Sequence, residues 1–281
     1  LNNMRHNELK HIFDILEKAF ESLGIDYYLI GALARQVWYE KADVNFRTTK
    51  DVDYAALIGS HEEYDRVKEY LITNEGFTEH RGNAFVLISP DGIQVDILPF
   101  GEIENGGSVD IRGTGMTSIR VDGMKEVYKA GTEIVEFETG NVFKVATLPS
   151  IALLKFIAYD DRPEQRQKDV LDITNLLKHF FNLNSELIYN DHNDLFDEEK
   201  DRSLENISAI VIGREMRKIA TSNESLIKRL ESIMNKHIEL NEKSPFIRLM
   251  IQGTGSNVEE MTDRLRDIQW GFNNKSQVFE D

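Results

Sequence analysis

Residues 7–23, NELKHIFDILEKAFESL, place apolar side chains at Leu9, Ile12, Phe13, Leu16, Phe20 and Leu23. That i, i+3, i+4 spacing is one stripe of an amphipathic helix, and Gly24 stops it. DYYLIG (26–31) then reads as a short buried strand, and 32–41 as a helix opening directly after Gly31. DVDYAALI (51–58) is a second strand, and residues 61–76 form a helix closed by Gly76. AFVLIS (84–89) and IQVDILPF (93–100) flank a Pro-Asp-Gly turn, the signature of a hairpin. The glycine-rich stretch 101–147, with pieces such as SIRV, EIVEFE and VFKVA, reads as further sheet.

From Pro149 onward the period becomes helical. SIALLKFIAYDD (150–161) has Ser150 at the expected N-cap, and Pro163 opens the next helix, with Val170, Ile173, Leu177 and Phe181 on one face. Residues 207–240 read as two helices and 243–281 as one or two more. Residues 191–206 hold seven acids against two bases, which reads as a solvated loop or helix face. The pattern predicts an α/β (α+β) protein: a mixed-sheet domain over 1–148 followed by a helical domain over 149–281.

Composition narrows the chemistry. The chain of 281 residues has no cysteine, which excludes disulfides, thiolate metal sites and cysteine nucleophiles and suits a reducing, cytoplasmic setting. No apolar run approaches the roughly 18 residues of a membrane helix. The first 25 residues mix charges of both signs at helical spacing, unlike a signal peptide. The net charge of -16 argues against a broad nucleic-acid surface and suits a cationic substrate or basic partner.

Asp51 and Asp53 alternate in one strand, so both carboxylates project to the same face while Val52 and Tyr54 face the other way. Like charges so placed call for a cation, and oxygen-only ligands suit magnesium or manganese. Asp96 lies inside the apolar run VDILPF, an expensive place for an acid. If its strand lies beside the first, Asp96 completes a three-carboxylate cluster able to hold two metals for phosphoryl transfer. Gly31-Ala32 follows a strand and opens a helix, where free backbone N–H groups can cradle phosphate. Arg47, Thr48, Thr49 and Lys50 place cations and hydroxyls just before the carboxylates.

LIGA, RTTKDVD and QVDILPF together resemble the signature of the DNA polymerase β-type nucleotidyltransferases. In that superfamily the second small residue is usually Gly or Ser; here it is Ala32, which keeps the backbone donors and lacks the hydroxyl. LLKFIAYDDRPEQRQKDVLDI resembles the helical segment of the AbiEii-type nucleotidyltransferases, the toxins of type IV toxin–antitoxin and abortive-infection systems. The matching positions are Lys155, Arg162, Lys168, Asp169 and Asp172, and SAIVIGREMRKIA (208–220) is similar to a Gly-Arg helix late in that family.

The resemblance implies transfer of a nucleoside monophosphate from an NTP to an acceptor hydroxyl, with pyrophosphate released. Asp51, Asp53 and Asp96 would hold Mg2+ or Mn2+, and Asp96 would help deprotonate the acceptor. Gly31, Ala32, Arg47, Thr49, Lys155, Arg162 and Lys168 would meet the nucleotide, with Asp169 and Asp172, three apart on one helix face, orienting the cations. The implied acceptor is a tRNA 3′ end or another RNA, and the implied partner a cognate antitoxin. Two alternatives remain open: transfer to a cationic small molecule such as an aminoglycoside, and a nucleotide-binding protein without activity. The seven histidines show no ligand spacing, and the Gly-Thr-Gly pieces at 113–115 and 253–255 lack the strand–helix context of a dinucleotide fingerprint.

Overall fold

The computed structural model describes residues 3–40, 51–196, 202–252 and 254–274. The chain divides into two compact units, Leu1–Thr147 and Leu148–Asp281.

The first unit runs α1 (Asn3–Leu23), β1 (Tyr27–Leu29), α2 (Gly31–Glu40), β2 (Val52–Leu57), α3 (His61–Glu75), β3 (Thr78–Glu79), β4 (Val86–Ile88), β5 (Gln94–Phe100), β6 (Ser108–Asp110), β7 (Ser118–Arg120), α4 (Met124–Ala130), β8 (Thr132–Glu136) and β9 (Val142–Ala146). The main sheet has the order β3-β4-β5-β2-β1-β9-β8, while β6 and β7 form a separate ribbon. The expected hairpin is the antiparallel pair β4–β5. β2 and β5 run parallel, which requires the long crossover through α3.

The α1 stripe is buried from Leu9 to Phe20. Phe20 stacks on Tyr27 at 4.5 Å, and Phe13 meets Phe143 edge-on at 5.2 Å. Tyr54 closes the same cluster, 5.4 Å from Tyr27. This aromatic layer therefore lies on one face of β1, β2 and β9. Alternation sends Asp53, the neighbour of Tyr54, to the opposite face.

The second unit holds α5 (Leu148–Asp161), α6 (Gln167–Leu183), α7 (Ser185–Asp191), a 3-10 turn at Asn193–Leu195, α8 (Leu204–Ala220), α9 (Glu224–Leu240), a second 3-10 turn at Asn241–Lys243, α10 (Pro245–Ile251) and α11 (Val258–Asn273). α8 and α11 meet at two glycines. A side chain on Gly213 would strike the backbone of Ile268 and Phe272, and one on Gly271 the backbone of Ile210. Only glycine permits so close an approach.

Several expectations change. The stretch 101–147 contains helix α4 between Gly123 and Gly131 as well as strands. α5 begins at Leu148, so Ser150 is a fully buried residue inside the helix rather than its cap. α6 starts at Gln167 rather than Pro163, because Arg162 accepts bonds from Gln165 and Arg166 (both 3.0 Å) in a tight reversal. The described part of 191–206 is also not merely solvated. His192 and Leu195 are buried, and Ser203 caps α8 reciprocally with Asn206. Residues 197–201 lie outside the described residues.

Candidate active site

Asp53 and Asp96 are register partners on the parallel strands β2 and β5. Neighbouring strands lie about 4.8 Å apart, so both side chains leave one face of the sheet side by side. The Asp53 carbonyl accepts from Ile30 N at 3.0 Å, which extends the β1–β2 ladder to the residue before Gly31. Gly31 opens α2 with φ +67, and a side chain there would occupy the space of the Asp53 carboxylate. The acid thus sits against the start of α2, whose first amides have no partner within the helix. Gly31 and Ala32 are half-buried at this point.

Gln94 is a neighbour of the candidate acids that the sequence reading missed. It lies two positions before Asp96 on the same face of β5, and its Nε2 donates to Asp96 Oδ1 at 3.0 Å. The spacing alone could have shown it, since i and i+2 share a strand face. Behind the site, the Tyr64 hydroxyl donates to Ile97 O at 2.8 Å. Burial, and secondarily the charge of Asp96, push its pKa well up.

The donor chemistry fits a hard divalent ion: two carboxylates in register, and Asp51 two residues along at the exposed mouth of β2. Among the described residues, no three His, Asp or Glu side chains come together closely enough to hold an ion. Asp51 precedes the first paired residue of β2 and is exposed, whereas Asp53 and Asp96 are half-buried. Arg47 and Thr49 lie outside the described residues. A polar depression of about 460 Å³ lined by His61, Glu62, Asp65, Asp110, Ile111 and Arg112 contains none of these residues.

In the second unit the reversal between α5 and α6 brings Lys155 onto two acids. Lys155 Nζ lies 2.6 Å from Asp169 Oδ1 and 2.8 Å from Asp172 Oδ2. The Lys155 and Asp169 side chains are each only 12% exposed, so water screens this cluster weakly. Arg162 is half-buried in the turn, and Lys168 is exposed in the first turn of α6.

The Gly-Arg helix has a structural role. Arg214, 3% exposed, grips Asp194 through both terminal nitrogens at 2.7 and 2.6 Å. Its Nη1 also faces His192 Nδ1 at 3.4 Å, and His192 Nε2 meets Glu215 at 2.9 Å. An arginine has no acceptor, so Nδ1 accepts and His192 donates from Nε2. This network holds the 3-10 turn after α7 onto α8.

The family model for "Nucleotidyl transferase AbiEii toxin, Type IV TA system" matches residues 14–264. The chain belongs to the AbiEii nucleotidyltransferase toxin family. The match spans the β2–β5 acids and the Lys155 cluster alike.

Among solved structures, this AbiEii-family chain is similar to an antigenic nucleotidyltransferase-like protein from Paracoccidioides brasiliensis. The identity is 16%, over 67% of this chain and 90% of that one, with TM-score 0.41. It is similar to the antibiotic-resistance factor ANT(2'')-Ia at 11% identity, over 84% and 96%, with TM-score 0.35. It is also similar to the Thermotoga maritima CCA-adding enzyme complexed with tRNA, at 11% identity, over 94% and 80%, with TM-score 0.29. No curated relative matches significantly. Among the described residues, no helix is long and apolar enough to cross a membrane.

Proposed function

We propose that this AbiEii-family nucleotidyltransferase moves a nucleoside monophosphate from an NTP to an acceptor hydroxyl on tRNA or another RNA, with pyrophosphate as the second product. The observation that carries the reading is the registered pair Asp53 and Asp96, with Gly31 seated against Asp53. Asp51, Asp53 and Asp96 would hold Mg2+ or Mn2+. When bound, the ions lower the charge on the phosphates and make the acceptor oxygen easier to deprotonate.

The acceptor oxygen attacks the α-phosphorus. Its proton passes to Asp96, the bond from the α-phosphorus to the bridging oxygen breaks, and pyrophosphate leaves. Gln94, which donates to Asp96 Oδ1, would help to orient that carboxylate. The amides of Gly31 and Ala32, with Arg47 and Thr49, bind phosphate oxygens. Lys155, steadied by Asp169 and Asp172, is the nucleotide-binding cation of the helical unit, with Arg162 and Lys168 further along the same segment of sequence. The family's place in a type IV system implies an antitoxin partner.

The charge of -16 favours a second reading, in which the acceptor is a cationic small molecule. The test is incubation with each of four radiolabelled NTPs, magnesium and either total bacterial tRNA or an aminoglycoside, beside the Asp51→Asn/Asp53→Asn protein and a chelated control. Label on RNA that needs both the acids and the metal is expected. Label on an aminoglycoside but not RNA moves the acceptor to the cation. Transfer by the double variant overturns the site.

A further inference from the structure

The main sheet ends in β3 on one side and in β8 on the other. β3 is two residues long, and its Glu79 is tied to Lys68 at 2.6 Å. So short an edge offers little for another strand to pair with. β8 runs five residues, and among the described residues no strand pairs with its outer side.

The β8–β9 ladder fixes which backbone groups face outward. Phe137 N donates to Asn141 O, and Thr147 N to Gly131 O, both at 2.9 Å. These two contacts bracket a register that runs from Thr132↔Ala146 to Glu136↔Val142. In an antiparallel ladder, hydrogen-bonded and non-hydrogen-bonded pairs alternate. Glu133 and Val135 therefore bond to β9, while the N–H and C=O groups of Thr132, Ile134 and Glu136 point away from the sheet. Side chains at the same edge add an apolar surface. Ile134 (66% exposed) and Val142 (51%) are the two exposed large apolar side chains of the first unit among the described residues. Glu136 is two residues from Ile134 and is the register partner of Val142, so Ile134 and Val142 share one face of the β8–β9 hairpin.

We propose that β8 pairs antiparallel with β8 of a second copy, about a two-fold axis at Ile134, so that two seven-stranded sheets become one. The sequence Thr-Glu-Ile-Val-Glu is complementary to itself in this register. Ile134 faces Ile134 of the copy, Thr132 faces Glu136, and Glu133 faces Val135. Every outward N–H and C=O of the strand gains a partner, because hydrogen-bonded pairs form at Thr132, Ile134 and Glu136. No acid opposes an acid. Sliding the copies by two residues one way sets Glu133 directly against its own copy, a like-charge pair that destabilises a ladder. Sliding them the other way moves Thr132 opposite Glu138, in the turn that follows β8. Charge thus selects the centred register. A five-residue seam falls short of the roughly 1,000 Å² of a stable interface, so the dimer belongs to the weak, concentration-dependent class. This pairing is independent of the catalytic reading.

The test is sedimentation velocity of the full chain from about 2 to about 200 µM. Salt of about 0.3 M screens the repulsion between two chains of net charge -16. A shift from monomer to dimer over this range is expected. Ile134→Lys and Ile134→Glu, each alone, place like charges across the axis and should raise the dissociation constant at least tenfold. Their one-to-one mixture should dimerise again, because only this register sets residue 134 against itself. Ile134→Pro removes the central outward N–H, a position where an edge strand tolerates proline, and should also weaken the dimer. Leu240→Ser, an exposed apolar position of the second unit, should leave it unchanged. Thermal melts confirm that each variant folds. A wild-type monomer throughout would leave the edge to some other strand and overturn the proposal. So would a dimer that the Ile134 variants leave intact, or a mixture that stays monomeric.

Discussion

Gly31→Ala tests the heart of the site, and the chain supplies its own control. Gly24 and Gly31 have nearly the same backbone, φ +68 and +67. A methyl group at Gly24 meets nothing within 4 Å, whereas one at Gly31 falls on the Asp53 carboxylate. An L-residue in this left-handed region costs about 1–2 kcal/mol. Reduced freedom of the unfolded chain returns about 0.4–1 kcal/mol. Gly24→Ala should therefore lose roughly 1 kcal/mol and keep full transfer activity. Gly31→Ala carries the same backbone cost and in addition displaces Asp53, an overpacking cost of about 1–3 kcal/mol. It should lose roughly 2–4 kcal/mol in all. A shift of about 1 Å in a reacting geometry costs on the order of 100-fold, so its transfer rate should fall at least that far. Urea titrations and single-turnover NTP transfer on both variants make the comparison. A Gly31→Ala protein as stable as Gly24→Ala and fully active would refute the packing of Gly31 on Asp53 as a requirement of the site.

Lys155→Met leaves Asp169 and Asp172 facing each other with little water and should cost about 3 kcal/mol in denaturant titrations. Adding Asp169→Asn and Asp172→Asn should restore most of it, and a single-variant loss under about 0.5 kcal/mol would mark the cluster as an ordinary surface pair. Arg214→Leu should cost about 3 kcal/mol because it strips both donors from Asp194, and Arg214→Leu/Asp194→Leu should recover stability; no recovery would refute the pairing. Burial, then the charge of Lys236, lowers the pKa of His237 to about 4. The unfolded chain therefore binds one more proton than the fold between about pH 4 and the ordinary 6.5, and this group's stability is intact above 6.5 and lost as pH falls towards 4. The urea midpoint of His237→Phe should fall less over that window than the parent's; parallel curves would contradict the assignment.

The elements of the first unit were legible where period and punctuation agreed. The α1 stripe, the Pro-Asp-Gly hairpin and the alternation that turns Asp53 away from Tyr54 are all local properties of chain geometry. The missed elements were short. α4, between two glycines, and α7 span seven residues each, too few for a helical period to stand out. Gln94 was readable from its spacing to Asp96 but has no distinctive residue type.

By itself the sequence named the candidates for the chemistry: the acids at 51, 53 and 96, the glycine that opens α2, and the Lys-Arg-Lys-Asp-Asp series of the helical part. Side-chain type and local period are encoded residue by residue. Only the tertiary structure decided that β2 and β5 pair in parallel with Asp53 beside Asp96. The register of strands far apart in sequence depends on the whole packed sheet. It also decided that the turn after Asp161 brings Lys155 onto Asp169 and Asp172. Finally, it turned the Gly213-Arg214 pair into a packing and anchoring device, because what a buried arginine does depends on the carboxylate that folding brings to it.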